Sequence, residues 1–327
     1  MSRPTLSLVI PIYNEELVIP ELDRRLKAVL AGWADLVDSW EVVFINDGSK
    51  DDSLNQLRLM AAGEPRYKVL SFARNFGHQV AITAGMDRAE GDAVVVMDAD
   101  LQDPPEVVRE MINLWRQGYD VVYGVRRKRA GETVFKKLTA AAFYRLLRAM
   151  LGGISIPVDA GDFRLLSRPV VMAMRALKER HRFVRGMVAW VGFKQTAAYY
   201  DREARFAGET KYPLSKMLRF AIDGITSFST VPLRFATWLG VLAGLSAVVI
   251  ALWAIYIKLF VTGVVQGWTT IMILVALGTS AQLLMIGVLG EYVGRIYEEV
   301  KRRPLYLIGE EINMGENDSV KDGHRTG

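Results

Sequence analysis

Two aspartates, Asp98 and Asp100, stand two residues apart directly after the apolar run Val94-Val95-Val96-Met97. Such a run reads as a buried strand, and a spacing of two puts both carboxylates on one face if the extended conformation persists. Two hard oxygen ligands with no His or Cys beside them suit Mg²⁺ or Mn²⁺, ions that keep water and substrate phosphate in the rest of their shell. The same pattern also occurs as a solvated acidic turn; its place behind a buried strand favours the metal reading. Asn46-Asp47-Gly48-Ser49 is first of all a turn signal. Pro11-Ile12-Tyr13-Asn14-Glu15-Glu16 fits a strand-to-helix loop with Asn14 as N-cap. Three polar strand ends on one sheet edge together describe a nucleoside-diphosphate crevice: one acid for base or ribose hydroxyls, an acidic pair for metal and pyrophosphate.

The elements that must carry these groups are legible as period. Strands are expected at 6–10, 41–45, 68–71, 93–97 and 121–123, and helices at 17–30, 54–62, 79–88 and 106–117. That alternation is the signature of an α/β domain on a parallel sheet. Further on, residues 235–257 and 268–290 contain no charge. Each run is about 23 residues, roughly 35 Å as a helix, enough for a hydrocarbon core of about 30 Å. Lys211, Lys216, Arg219 and Arg234 flank one run, Arg295, Lys301, Arg302 and Arg303 the other. The positive-inside rule therefore sets both flanks in the cytoplasm and the short connector outside. Just before the hairpin, Pro213 opens a segment with Leu214, Met217, Leu218, Ala221, Ile222, Ile225 and Phe228 on one helical face. Such a helix either lies in the membrane interface or packs on the soluble domain.

Composition narrows the classes. The 327 residues carry 41 Lys+Arg against 36 Asp+Glu, a net charge of +5, and no cysteine. A disulfide framework, a thiolate zinc site, an iron–sulfur centre and a Cys nucleophile are thereby excluded. Histidines at 78, 181 and 324 are too scattered for a His-built centre, and His78, beside Gly77, reads as structural. Trp115, Trp190 and the methionines read as core. The N-terminus passes straight into a strand pattern without a signal-peptide h-region, so the catalytic part is expected in the cytoplasm. A pI of 9.3 points to an anionic partner, and the hairpin favours lipid or phosphate ester over nucleic acid. Residues 126–148 hold eight Lys/Arg against Glu132. They form either a solvated helix face or one that meets anionic headgroups, worth about 1 kcal/mol per basic residue.

The three strand ends, with Asp98-Ala99-Asp100-Leu101-Gln102-Asp103-Pro104-Pro105, resemble the family-2 glycosyltransferases of GT-A fold. The branch they resemble is that of the polyprenyl-phosphate glycosyltransferases, bactoprenol glucosyltransferase and its dolichol-phosphate-mannose synthase relatives. Ser71-Phe72-Ala73-Arg74-Asn75-Phe76-Gly77, Gly161-Asp162-Phe163-Arg164-Leu165, Arg205-Phe206-Ala207-Gly208-Glu209-Thr210-Lys211-Tyr212 and Gly290-Glu291-Tyr292-Val293-Gly294-Arg295-Ile296-Tyr297-Glu298-Glu299 extend the match, in order and through the hairpin, to about Leu307. The resemblance implies transfer of a sugar from a nucleotide sugar to a membrane polyprenol's phosphate, with inversion. It sets Pro11, Tyr13, Glu15 and Asp47 around the donor nucleoside, and Asp98 and Asp100, assisted by Gln102, on a Mg²⁺ or Mn²⁺ ion. Arg126, Arg164, Arg205 and Lys211 match basic positions near the acceptor phosphate or the diphosphate, and Asp162 matches an acidic catalytic position. Val125 departs from the Ser common before the Arg, which weakens Arg126 most. The QxxRW element of processive synthases is absent.

The chemistry agrees. A phosphomonoester with a second pKa of about 6 is already a nucleophile near neutral pH. The obstacle is bringing that anion up to a diphosphate, which a divalent ion and bidentate guanidinium groups relieve. Asp162 then orients the acceptor or takes its residual proton; without the resemblance, a turn acid in Asp159-Ala160-Gly161-Asp162 is the lesser alternative. The expected organisation is an α/β GT-A (Rossmann-like) nucleotide-sugar domain over 1–212, a juxtamembrane amphipathic helix over 213–232, two transmembrane helices within 233–295 and a cytoplasmic tail over 296–327. The expected setting is the bacterial inner membrane, as a homo-oligomer and plausibly a tetramer. UDP-glucose is the first-choice donor; UDP-amino sugars, aminoarabinose derivatives and GDP-mannose stay open. Rival readings are a catalytically silent membrane scaffold and the same fold acting on a protein, glycan or glycolipid.

Overall fold

The computed structural model describes residues 4–127, 160–201, 226, 229–260 and 267–315. Most of the amphipathic stretch at 213–232, Arg205, Lys211 and the basic run after Arg127 lie outside them. The chain divides into two units, one holding residues 1–148, 154–216 and 304–327, the other 149–153 and 217–303.

In the first unit the chain alternates as the sequence pattern requires. The first strands are β1 (Thr5–Ile12), β2 (Ser39–Asn46), β3 (Tyr67–Phe72), β4 (Ala93–Val96) and β5 (Val121–Arg126). Between them run α1 (Ile19–Ala31), α2 (Ser53–Gly63), α3 (His78–Arg88) and α4 (Val108–Arg116), the last entered through a 3₁₀ turn at Pro105–Val107. Three strands had no place in the sequence reading: β6 (Ala160–Ser167), β7 (Gln195–Tyr200) and β8 (Ile308–Ile312). They surround two more helices, α5 (Arg168–Ala176) and α6 (Val184–Trp190).

The eight strands form one sheet in the order β7-β5-β6-β4-β1-β2-β3-β8. It is mixed, not wholly parallel as the alternation suggests. β6 runs antiparallel between β4 and β5, and β8 antiparallel along β3. The central strands are near-continuously apolar because helices cover both faces. On one face Leu6, Leu8, Ile10 and Ile12 pack with Leu22, Leu26, Leu57 and Met111. On the other, α3 comes so close that a Cβ at Gly85 would lie 2.2 Å from Val9 Cγ1 and 2.6 Å from Ile45 Cδ1. Residues 304–315 belong to the first unit, and β8 closes one edge of its sheet.

The second unit is a pair of long helices, α7 (Val231–Phe260) and α8 (Trp268–Val300), which enclose both charge-free runs. Both are long and apolar enough to cross a membrane, and the apolar windows of both are unburied by protein. Gly240 of α7 lies beside Met285 of α8, and the Tyr292 hydroxyl donates to the Ser229 carbonyl at 2.6 Å.

Candidate active site

β1, β2, β3 and β4 run parallel, so their carboxyl ends share one edge, and β6 starts at that edge because it runs the other way. Pro11 is buried in β1, whereas Tyr13 beyond its end is 44% exposed. Asn14 adopts a left-handed φ of 55°, donates its amide to Ser49 Oγ (3.0 Å) and accepts from the Lys50 amide (2.8 Å). The Glu15 amide donates to Ser53 Oγ at 2.9 Å. These bonds lace the loops after β1 and β2 together around a cleft of about 390 Å³ lined by Asn14, Glu15, Glu16, Lys50 and Asp51.

Asp47 is buried, and its carboxylate braces the loop between β3 and α3. It accepts from the Phe76 amide (2.7 Å), the Gly77 amide (3.0 Å) and Asn75 Nδ2 (3.0 Å). Burial pushes its carboxyl above the usual range, against those amide bonds. Gly48 makes this close approach feasible: its φ is +64° and a Cβ would fall 2.4 Å from the Arg74 carbonyl carbon.

β4 ends at Val96, so Asp98 and Asp100 sit on a loop rather than on a continuing strand face. Asp100 Oδ1 accepts from the Gln102 amide at 3.1 Å. Leu101 is buried with a left-handed φ of 58°, a conformation that costs a non-glycine residue on the order of 1–3 kcal/mol and recurs at functional loops. The loop's far end is anchored by Asp103, buried and accepting the Tyr200 hydroxyl, with Arg126 Nη2 at 3.6 Å and Arg126 Nε donating to Tyr200 at 3.4 Å. Asp98 Oδ1 is buried without a hydrogen-bond partner. Desolvation raises this carboxyl to about 6, with His78 opposing the shift.

Asp162 and Asp98 share a neighbour. His78 Nε2, at the start of α3, is 3.3 Å from Asp162 Oδ2 and 3.4 Å from Asp98 Oδ1. His78 therefore sits within the acidic cluster, whereas its lone position beside Gly77 in the sequence suggests a structural role. Asp162 is further held by Arg185, whose Nε (2.8 Å) and Nη2 (3.1 Å) take both carboxylate oxygens, and by Gln79 Nε2 at 3.3 Å. Burial alone would raise the Asp162 carboxyl, but His78 and Arg185 outweigh it and hold the group far below the carboxylate range. Arg164 is equally buried, and it points inward: Nη2 donates to the Gly161 carbonyl (2.7 Å) and Nε to that of Asp162 (3.3 Å). Burial lowers its guanidinium to about 10.

The structure therefore brings Asp98 and Asp162 together, joins Arg126 to Asp103, and sets Asp47 and Arg164 as braces. His78, Gln79, Asp103, Arg185 and Tyr200 are the contributors missed. For three of them adjacency is the signal, since His78-Gln79 follows Gly77 directly and Asp103 closes the acidic motif; Arg185 and Tyr200 carry none. Among the described residues no three His, Asp or Glu side chains form a ready cage for a cation. A half-built set with one orphaned carboxylate oxygen fits an ion that completes its shell with water and diphosphate.

The model of the family described as glycosyl transferase family 2 matches residues 7–175. The chain is 52% identical over 318 residues to the uncharacterized glycosyltransferase YkcC of Bacillus subtilis, which covers 97% of each chain. It is 39% identical to the prophage bactoprenol glucosyl transferase homolog of Escherichia coli, over 93% of this chain and 98% of that one. It is 40% identical to the bactoprenol glucosyl transferase of Shigella phage SfII, over 93% and 97%. Among solved structures, the Mycobacterium tuberculosis glucosyl-3-phosphoglycerate synthase in complex with Mn²⁺, UDP and glucosyl-3-phosphoglycerate is similar over 68% of this chain and 78% of that one, at 20% identity and a TM-score of 0.45.

Proposed function

This chain belongs to glycosyl transferase family 2, with its GT-A, Rossmann-like α/β fold, and on that footing we propose that it moves a hexose from a nucleotide sugar to a membrane polyprenyl phosphate. The donor is UDP-glucose, the configuration at the anomeric carbon inverts, and the product is a polyprenyl-phosphate sugar made on the cytoplasmic face of the inner membrane. The bactoprenol glucosyl transferase of Shigella phage SfII and the prophage homolog of Escherichia coli align with this chain almost end to end, which supports the acceptor class. The observation that carries the reading is Asp98 Oδ1, buried without a hydrogen bond and 3.4 Å from His78, beside an Asp162 that Arg185 holds ionised at the carboxyl edge.

Asp98 and Asp100, with Gln102 alongside, would hold Mg²⁺ or Mn²⁺, which supplies positive charge to the donor's diphosphate. Pro11, Tyr13 and Glu15 line the nucleoside end, and Asp47 acts there through the loop it braces. The acceptor's phosphate oxygen forms the new bond to the sugar's anomeric carbon as the bond from that carbon to the diphosphate breaks. The electron pair leaves with the nucleoside diphosphate. Because the acceptor arrives ionised and Asp162 is a poor base, Asp162 orients the attacking phosphate rather than deprotonating it. Arg126, Arg205 and Lys211 offset charge on the two phosphate groups, while Arg164 steadies the strand end that presents Asp162. The two apolar helices hold enzyme and acceptor in one layer, which raises effective concentration. A homo-oligomer, plausibly a tetramer, fits this arrangement; nucleic acid has no part in it.

The test is a donor panel. Purified full-length protein, Mg²⁺ and undecaprenyl phosphate should release UDP from UDP-glucose in preference to UDP-N-acetylglucosamine or GDP-mannose. Release from none of them, or release without dependence on the lipid, overturns the reading.

A further inference from the structure

The segment after the hairpin, 305–313, touches β3, α2 and α3, and so both elements that flank the loop between β3 and α3. Its strand β8 pairs with β3, Ile308 opposite Phe72 and Glu311 opposite Leu70. The pairing then continues past the end of β3, where the Ala73 amide donates to the Leu307 carbonyl at 2.9 Å. Tyr306 stacks on Phe72 with ring centroids 5.1 Å apart and planes at 21°, and Phe72 in turn meets Phe76 edge-on at 5.6 Å. Glu310 takes the Arg58 guanidinium of α2 through two bonds, and Glu311 takes Arg88 of α3 at 2.7 Å. Asn313 Nδ2 closes the strap on the Ala61 and Tyr67 carbonyls, at 2.8 and 2.9 Å.

What this strap supports is the site itself. Residues 75–77 donate to Asp47, and the next residue, His78, stands between Asp98 and Asp162. Phe76 is the hinge of the chain of contacts: its amide holds Asp47, and its ring is reached by Tyr306 through Phe72. Tyr306 is thereby linked to Asp47, more than 200 residues earlier in sequence, and misplacements of about 1 Å can cost about 100-fold in rate.

We infer that Tyr306 is a positioning residue of the donor site, acting through Phe72 and Phe76, and that the 305–313 strap is part of that site's scaffold rather than an appendage of the membrane helices. The inference rests on the donor reading above. It commits to donor rather than acceptor, because the loop it steadies carries the groups around Asp47.

The test uses the full-length protein in nanodiscs with Tyr306→Ala, Tyr306→Phe and wild type. Hydrogen exchange reads the scaffold without any ligand. Tyr306→Ala should accelerate exchange of the Phe76 and Gly77 amides at least about tenfold while β1 and β4 stay protected. Steady-state kinetics read the site. The KM for nucleotide sugar should rise about tenfold with the KM for polyprenyl phosphate unchanged, and Tyr306→Phe should behave as wild type because the ring contact persists. Unchanged exchange at Phe76 overturns the inference, whatever the substrate proves to be. So does equal loss for both substrates in a normally melting Tyr306→Ala protein. Wild-type protein that turns over no polyprenyl phosphate would sink the functional reading and leave the exchange result to judge the strap.

Discussion

Asp98 and Asp162 face one another because β4 and β6 are antiparallel neighbours. Val96, the last residue of β4, pairs with Arg164, so the loop that carries Asp98 leaves β4 beside the β6 residues that include Asp162. Two carboxylates in that position repel, and His78 stands between them. Their surroundings differ, since Arg185 donates to both oxygens of Asp162 while Asp98 Oδ1 has no hydrogen bond and only the longer ion-pair distance of 3.4 Å to His78.

That division predicts different failures. Asp98→Asn should lower kcat by about 10²–10³-fold, the usual loss for one group facing transition-state charge, with excess Mn²⁺ failing to restore it. Asp162→Asn should keep nucleotide binding, measured calorimetrically, and raise the KM for lipid acceptor. Identical kinetic signatures for the two variants would contradict the division.

Arg185 holds Asp162 through two parallel bonds, which a lysine cannot reproduce. Arg185→Lys should therefore cost about tenfold in kcat/KM with little change in melting temperature. Arg185→Ala, which strands a buried carboxylate, should also lose about 3 kcal/mol of stability. Chemical denaturation beside kinetics distinguishes the two effects.

Much of this was legible beforehand, and the limits have physical causes. β1 to β5 are apolar runs bounded by polar ends, so their period is local information. β6 alternates Asp162 and Arg164 with apolar residues and therefore reads as a motif instead of a strand, which hid the antiparallel insertion that creates the Asp98–Asp162 contact. β8 contains Glu310 and Glu311 side by side, and its partner β3 lies some 240 residues earlier, beyond the reach of any periodicity. A solitary His78 carries no spacing signal, because its meaning comes from two carboxylates supplied by other strands.

Gly48→Ala tests the contact between the Asp47 turn and the loop after β3. The new Cβ would meet backbone at 2.4 Å with φ at +64°, so a loss of about 1–3 kcal/mol and a higher donor KM are expected. Gly118→Ala is the control: its φ of +90° is equally unfavourable, yet no atom lies within 4 Å, so stability should fall with donor KM unchanged.

At the opposite edge of the sheet, Glu41 accepts from Ser7 Oγ at 2.5 Å and the Glu90 amide at 2.7 Å, and pairs with Lys68 at 2.6 Å. Burial alone would raise this carboxyl, but the Glu90 amide, Lys68 and Ser7 hold it below its usual 4.5. The stability it confers is thus fully present above about pH 5 and lost as pH falls through 4.5 toward the folded value. Melting temperatures of wild type and Glu41→Gln should differ most at neutral pH and converge in acid. A gap that widens on acidification would contradict this.

In the proposed reaction a lipid phosphate oxygen becomes bonded to the sugar. ³¹P NMR of undecaprenyl phosphate incubated with the protein, UDP-glucose and Mg²⁺ reads that bond directly. The phosphomonoester resonance should convert to a phosphodiester, at a rate that Asp98→Asn reduces at least about 100-fold. A sugar-bearing product formed while the monoester signal stays intact would contradict the account.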